Sequence, residues 1–183
     1  ARIETRPATA QNSVRTIDGT FALATVAGAT RFGGALGDTD ALASLSVSGP
    51  ATLAGGRIAT VGNQAYAGPV TLAGDLTLSA FNIGFGAAVD GPHTLSLQSA
   101  FSQFGAAVGG IAPLAGLDSS GTVGFAGAAE VSTTGTQHYA GRLTLGGSGR
   151  FSGSALRFDD RVEGVQDLLL QTDEQVYRDR PLD

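Results

Sequence analysis

The chain has no cysteine, methionine or tryptophan, and all 11 of its basic residues are arginine. Without cysteine there is neither a disulfide framework nor a thiolate metal site. Charged residues make up only 15% of the chain, the net charge is −5, and no basic cluster stands out. A nucleic-acid surface needs clustered Lys and Arg to neutralise phosphates, so no nucleic-acid partner is expected. No apolar run approaches the roughly 18 residues of a membrane-crossing helix, so no membrane span is expected in this segment. No amino-terminal export signal is legible, and the reading is of a piece cut from a longer precursor or stripped of its targeting part.

What is abundant is glycine, with 28 residues among 183. Each interior glycine costs a helix about 1 kcal/mol relative to alanine, so long helices suit this composition poorly. Short strands joined by tight glycine turns suit it well. The hydrophobic share of 42% is enough for a core and argues against disorder.

The chain also repeats itself. "NQAYAGPVTLAGDLTL" begins at Asn63, and "TQHYAGRLTLGGSGRF" begins at Thr136, an offset of 136 − 63 = 73. Aligning positions 58–99 with positions 131–172 at that offset gives 16 identities in 42 positions. A second block, one position out of phase with the first, matches Phe32, Gly33, Leu42, Leu45 and Gly49 to Phe104, Gly105, Leu114, Leu117 and Gly121. The chain therefore reads as two copies of a unit of about 72 residues. A finer period is nested inside it. "IGFGAAVDG", "SQFGAAVGG" and "VGFAGAAEV" follow one another at steps of about 20 residues. Those steps bring Phe85, Phe104 and Phe125 into register.

Within these turns apolar residues alternate, as in Val70, Leu72, Leu76 and Leu78, which is strand patterning. Helical spacing fits only "EGVQDLLLQTDEQVY", and weakly. Short strands recurring at intervals of about 20 residues predict an all-β parallel β-helix, a solenoid whose stacked turns put like residues in ladders. A β-sandwich would also alternate, but it has no reason for a short register nested in a long one. The expected layout is a polar lead-in or cap over residues 1–19, the β-helix of two repeat units over 20–172, and a charged tail, cap or linker over 173–183.

The phrase "TTGTQHYAGRLTL", followed by "ALRFDDRVEGVQDLLLQ", resembles the repeats of filamentous-haemagglutinin-like large exoproteins, exported by two-partner secretion, and of related autotransporter passengers. The resemblance covers nearly the whole repeat region, from near Phe32 to near Thr172, and rests on common β-helix residue types. It implies a right-handed parallel β-helix at the bacterial cell surface or outside the cell, a role in adhesion, biofilm or aggregation, and no cofactor. The secretion domain that defines that export route is not recognisable in this chain.

Five residues are candidate surface contacts for glycans: Gln64 and Tyr66, their counterparts Gln137 and Tyr139, and His138 between the latter two. An aromatic ring stacks on a sugar's apolar face and an amide satisfies its hydroxyls. The competing reading is structural, because a Gln and a Tyr needed in both copies are explained by closing a turn. His93 and His138 have no acidic or histidine neighbour at ligand spacing along the chain, so neither a metal nor a catalytic role is expected of them. "FDDRVEG" holds Asp159, Asp160 and Glu163, but adjacent Asp159 and Asp160 point to opposite sides of a strand, and Arg157 and Arg161 suit ion pairing. Asp38 and Asp40 in "GALGDTDAL" read as a turn before a calcium loop. The expected function is a non-catalytic structural or adhesive segment. Its partners would be cell-surface or matrix glycans or proteins, or other copies of itself. The alternatives are a homotypic filament module and, behind it, a polysaccharide-cleaving enzyme.

Overall fold

The computed structural model describes residues 3–5, 12–14, 16–26, 28–164 and 167–175. Among them are 22 strands and no helix, and every strand pairing is parallel. The chain is a β-solenoid with three faces. The first face stacks Ile3–Thr5, Ala22–Thr25, Ser44–Val47, Gln64–Tyr66, Asn82–Phe85, Phe101–Phe104, Thr122–Phe125, Leu143–Leu145 and Val162–Glu163. The second runs from Asn12–Val14 through Val89–Asp90, continues by single bridges through Val108 to Ala129–Ser132, and ends on the first halves of Gly149–Phe158 and Leu168–Gln175. The third runs from Arg57–Ala59 through Thr136–Tyr139 to the second halves of the same two long strands.

Turn length follows from the register. Leu23, Leu45, Gln64, Ile83, Ser102, Val123 and Leu143 lie one above another on the first face, marking six successive turns. Each turn is therefore about 20 residues long. The two longest, from Leu23 to Leu45 and from Ser102 to Val123, carry matching corner loops. Gly37 and Gly109, which correspond across the long repeat, have φ of 65° and 69°, and a Cβ on either would collide with a backbone carbonyl of the next turn. Their N–H groups donate to the carbonyls of Ile17 and Val89 at 2.7 Å. The Asp18 carboxylate accepts from the Thr39 N–H, and Asp90 accepts from Ile111 and Ala112. Asp38 and Asp40 are in the first of these loops, and no group of three metal-ligating side chains occurs among the described residues.

Alternate residues point inward and form ladders. On the third face Ile58, Leu78 and Leu97 stack, and on the second Val70, Val89, Val108 and Val131 do. All belong to one continuous core. The expected phenylalanine ladder is present and longer than expected. Tyr66, Phe85, Phe104 and Phe125 stack in successive turns, with ring centroids 5.3, 5.0 and 5.3 Å apart and planes within 21° of parallel. Phe151, from the second face, closes this column edge-on against Phe125 and Tyr139. Phe158 is only half-buried and stacks on Tyr139 of the third face.

The long repeat is not a stacking repeat. Its length is about three and two-thirds turns, so a repeated phrase moves to another face. Gln64–Tyr66 lies on the first face and Thr136–Tyr139 on the third. Phe32 lies on the second face and its counterpart Phe104 on the first.

Two boundaries differ from expectation. Ile3–Thr5 pairs with Ala22–Thr25, so the lead-in holds a paired strand. Leu168–Gln175 pairs with Gly149–Phe158 and carries strand structure past position 172. The weakly helical segment is thus a strand where described, because the edge of the previous turn offers its backbone a partner along its length. Residues 176–183 of the expected tail lie outside the described residues.

Phe104 is 1% exposed and lies between two rings. Phe104→Ala is expected to cost about 3–5 kcal/mol by denaturant titration, as large cavities in aromatic cores do. A cost below about 1 kcal/mol would contradict the stacked register.

Candidate functional site

Four of the five candidate contact residues are inside the solenoid. Gln64, Tyr66, Gln137 and Tyr139 are each at most 1% exposed. A ring sealed in the core has no face to offer a glycan, so these four are not surface contacts. They form the same interior plug twice. The Gln64 amide donates to the carbonyls of Ile58 and Ser79 at 3.1 and 3.0 Å, and its oxygen accepts from the Tyr66 hydroxyl at 3.0 Å. Gln137 donates to Val131 and Ser152 and accepts from Tyr139 at 3.1 Å. Thr60 and Thr133 close each corner onto the carbonyls of Gly62 and Gly135. Burial pushes both tyrosine hydroxyls far above their ordinary range, so they stay neutral donors.

His138 is the exception. It sits on the outer side of the third face, on the same strand as buried Gln137 and Tyr139. Stacking gives it the acidic neighbours that the linear sequence conceals. Its Nδ1 lies 2.7 Å from Asp118 in the turn before, and its Nε2 lies 2.9 Å from Asp159 in the turn after. Arg157, the register partner of His138, donates to both oxygens of Asp159 at 2.7 and 3.0 Å. Three successive turns are thereby tied together by one Asp–His–Asp–Arg chain. His93 also meets an acid from another turn, Asp75, at 3.6 Å. The sequence carries only a partial signal: Asp118, His138 and Arg157 follow one another at close to the turn length, but turns of unequal length leave their register open until the chain is folded.

The rest of the "FDDRVEG" region behaves as its ion-pairing pattern suggests. Arg161 meets Glu163 at 2.8 Å and Arg142 reaches the same carboxylate at 3.4 Å. Asp160 turns back to accept from the Arg161 N–H. Exposed pairs of this kind contribute little each, and more when networked across turns.

The hydrogen bond that His138 donates to Asp159, helped by Asp118, raises His138 above its ordinary value of 6.5 against a smaller opposing effect of burial. The hydrogen bonds from His138 and then Arg157 hold Asp159 below its ordinary 3.8. A group raised on folding stabilises fully below its unfolded value and loses that contribution as pH rises through the folded one. A group lowered on folding stabilises above its unfolded value and loses that contribution as pH falls through the folded one. The network therefore supports the fold best between about 4 and 6.5. Melting temperature is expected to fall as pH is raised from about 6 towards about 9, and His138→Gln is expected to flatten that profile. A wild-type profile already as flat as that of the variant would show that the network carries no stability.

The plug is testable separately. Gln64→Leu leaves the Tyr66 hydroxyl buried without an acceptor, at about 1–3 kcal/mol. Adding Tyr66→Phe to Gln64→Leu is expected to cost less than the two single losses added together, measured as a double-mutant cycle.

No protein-family model, curated protein or solved structure matches this chain.

Proposed function

We propose that this chain is a non-catalytic β-solenoid segment of a large bacterial surface protein, acting outside the cell in adhesion, biofilm formation or aggregation. One observation carries the reading. The recurrent Gln–Tyr pairs, Gln64–Tyr66 and Gln137–Tyr139, are consumed by interior hydrogen bonds, although other recurrent polar residues such as Gln98 and Gln171 stay exposed. The repeat therefore serves to build a long stiff body, and the outer surface is left free to vary. A rod with a repeated interior plan and a mostly unrepeated surface suits presentation and contact.

The carboxylates near the charged end support the non-catalytic side of the reading. Glycoside cleavage needs a carboxylic acid whose affinity for its proton is raised. Asp159 is shifted the other way by His138 and Arg157, and Glu163 is shared by two arginines. The depression lined by Glu130, Arg150, Ser132 and Ser152 beside the Gly109 loop offers one carboxylate without a second to pair with it.

Surface contacts on such a rod are individually weak and gain by linkage in many copies. The soluble chain is expected to bind cells poorly, and the same chain displayed densely on beads is expected to adhere. The bead-bound chain should release no reducing sugar from polysaccharides. Turnover that vanishes in Asp159→Asn would instead establish the enzyme.

A further inference from the structure

The outer side of the first face differs from the charged third face. From Asn63 to Ala126, across four turns, its outward positions hold Asn, Gln, Thr, Phe, Ala and Gly and no ionisable side chain. Charge returns with Arg142, Arg161 and Glu163. Gln103 stands at the centre, in register with Gly84 on one side and Gly124 on the other. A shallow trough opens there, lined by Gly84, Phe85, Gly86, Gln103 and Gly105.

Packing does not demand the glycine at position 84. A Cβ on Gly84 would meet nothing within 4 Å, and its φ is outside the left-handed region. What the missing side chain does is leave the backbone open, as at sites where another molecule approaches closely. At Gly124 the vacancy is filled from the neighbouring turn. The Phe101 ring covers it, with Cζ 2.9 Å from where a Cβ would sit. Phe81, 62% exposed, stands at the corner leading into this face. Beside it the Asn82 side-chain amide donates to the Asn63 side-chain oxygen at 3.2 Å, leaving the Asn82 side-chain oxygen and the Asn63 side-chain NH2 without a partner among the described residues. The Gln103 amide is likewise unpaired among them.

We propose that this trough binds an extended, uncharged polysaccharide, a proposal that deepens the adhesive reading and rests on it. Phenyl rings accept the apolar faces of sugar rings. Side-chain amides both donate and accept, which matches hydroxyl groups. The absence of any counter-charge over four turns disfavours uronates and sulfated chains. The solenoid rises about 4.8 Å per turn, close to the length one hexose adds to an extended β-linked chain, so a glycan lying along the axis meets one turn per sugar.

The test is calorimetric titration of the purified chain with neutral β-linked glucan and galactan oligosaccharides, and with polyuronates of the same length. Binding is expected for a neutral series alone, tightening with oligosaccharide length. Gly84→Thr places a good strand former in open space, so it should keep the wild-type melting temperature while filling the trough. It is expected to weaken binding about tenfold or more, and Gln103→Ala is expected to weaken it as well. No heat with any neutral series, preference for a polyuronate, or unchanged binding in Gly84→Thr would overturn the proposal. So would self-association that Gly84→Thr abolishes in a chain that binds no glycan, which would assign the face to a second copy. Bead arrays that adhere to cells equally with and without Gly84→Thr would leave the adhesive role standing and remove the trough. Neutral oligosaccharide binding by a chain whose arrays adhere to no cell would do the reverse.

Discussion

The structure depends on the parallel hydrogen bond between one turn and the next. Among the described residues the strands pair between turns and not within one, so each interior strand requires one partner in the turn before and another in the turn after. From that constraint the rest follows. Residues of like kind lie over one another, and apolar rows become ladders. The Tyr66–Phe85–Phe104–Phe125 column arises because four rings occupy the same step of four successive turns. Extra residues can enter only where pairing is interrupted, at corners. The two long turns accordingly place their additions in the loops after Gly37 and Gly109, each held by an aspartate from the preceding turn.

The same constraint explains a repeat that does not stack. A phrase displaced by about three and two-thirds turns lands on a different face, yet its local surroundings are reproduced because the three faces meet the interior alike. Gln64 and Gln137 reach carbonyls at equivalent steps, Ile58 and Ser79 in one case and Val131 and Ser152 in the other. The repeat preserves a way of closing a corner. It does not line up one outward feature along one side of the rod.

Stacking also writes the surface. Asp118, His138, Arg157 and Asp159 come from three different turns and are adjacent in space, and they make a charged seam on the third face. The first face, over its turns from Asn63 to Ala126, carries amides, rings and glycines instead. Two sides of one rod thus differ in chemistry while sharing a core.

The nested periods were enough to establish the solenoid, because stacking turns translate a recurring sequence step directly into a ladder. They also placed Phe85, Phe104 and Phe125 together, since those residues recur at the turn length itself. The face of each strand was not legible, because it depends on the running sum of turn lengths, and a few residues added at corners shift every later strand. Sequence spacing therefore left Gln64 and Tyr66 open between surface and core, and it left the partners of His138 undecided. Only the folded register decided both. It put the amides where buried carbonyls needed donors, and it brought one-turn-distant carboxylates to either side of the imidazole.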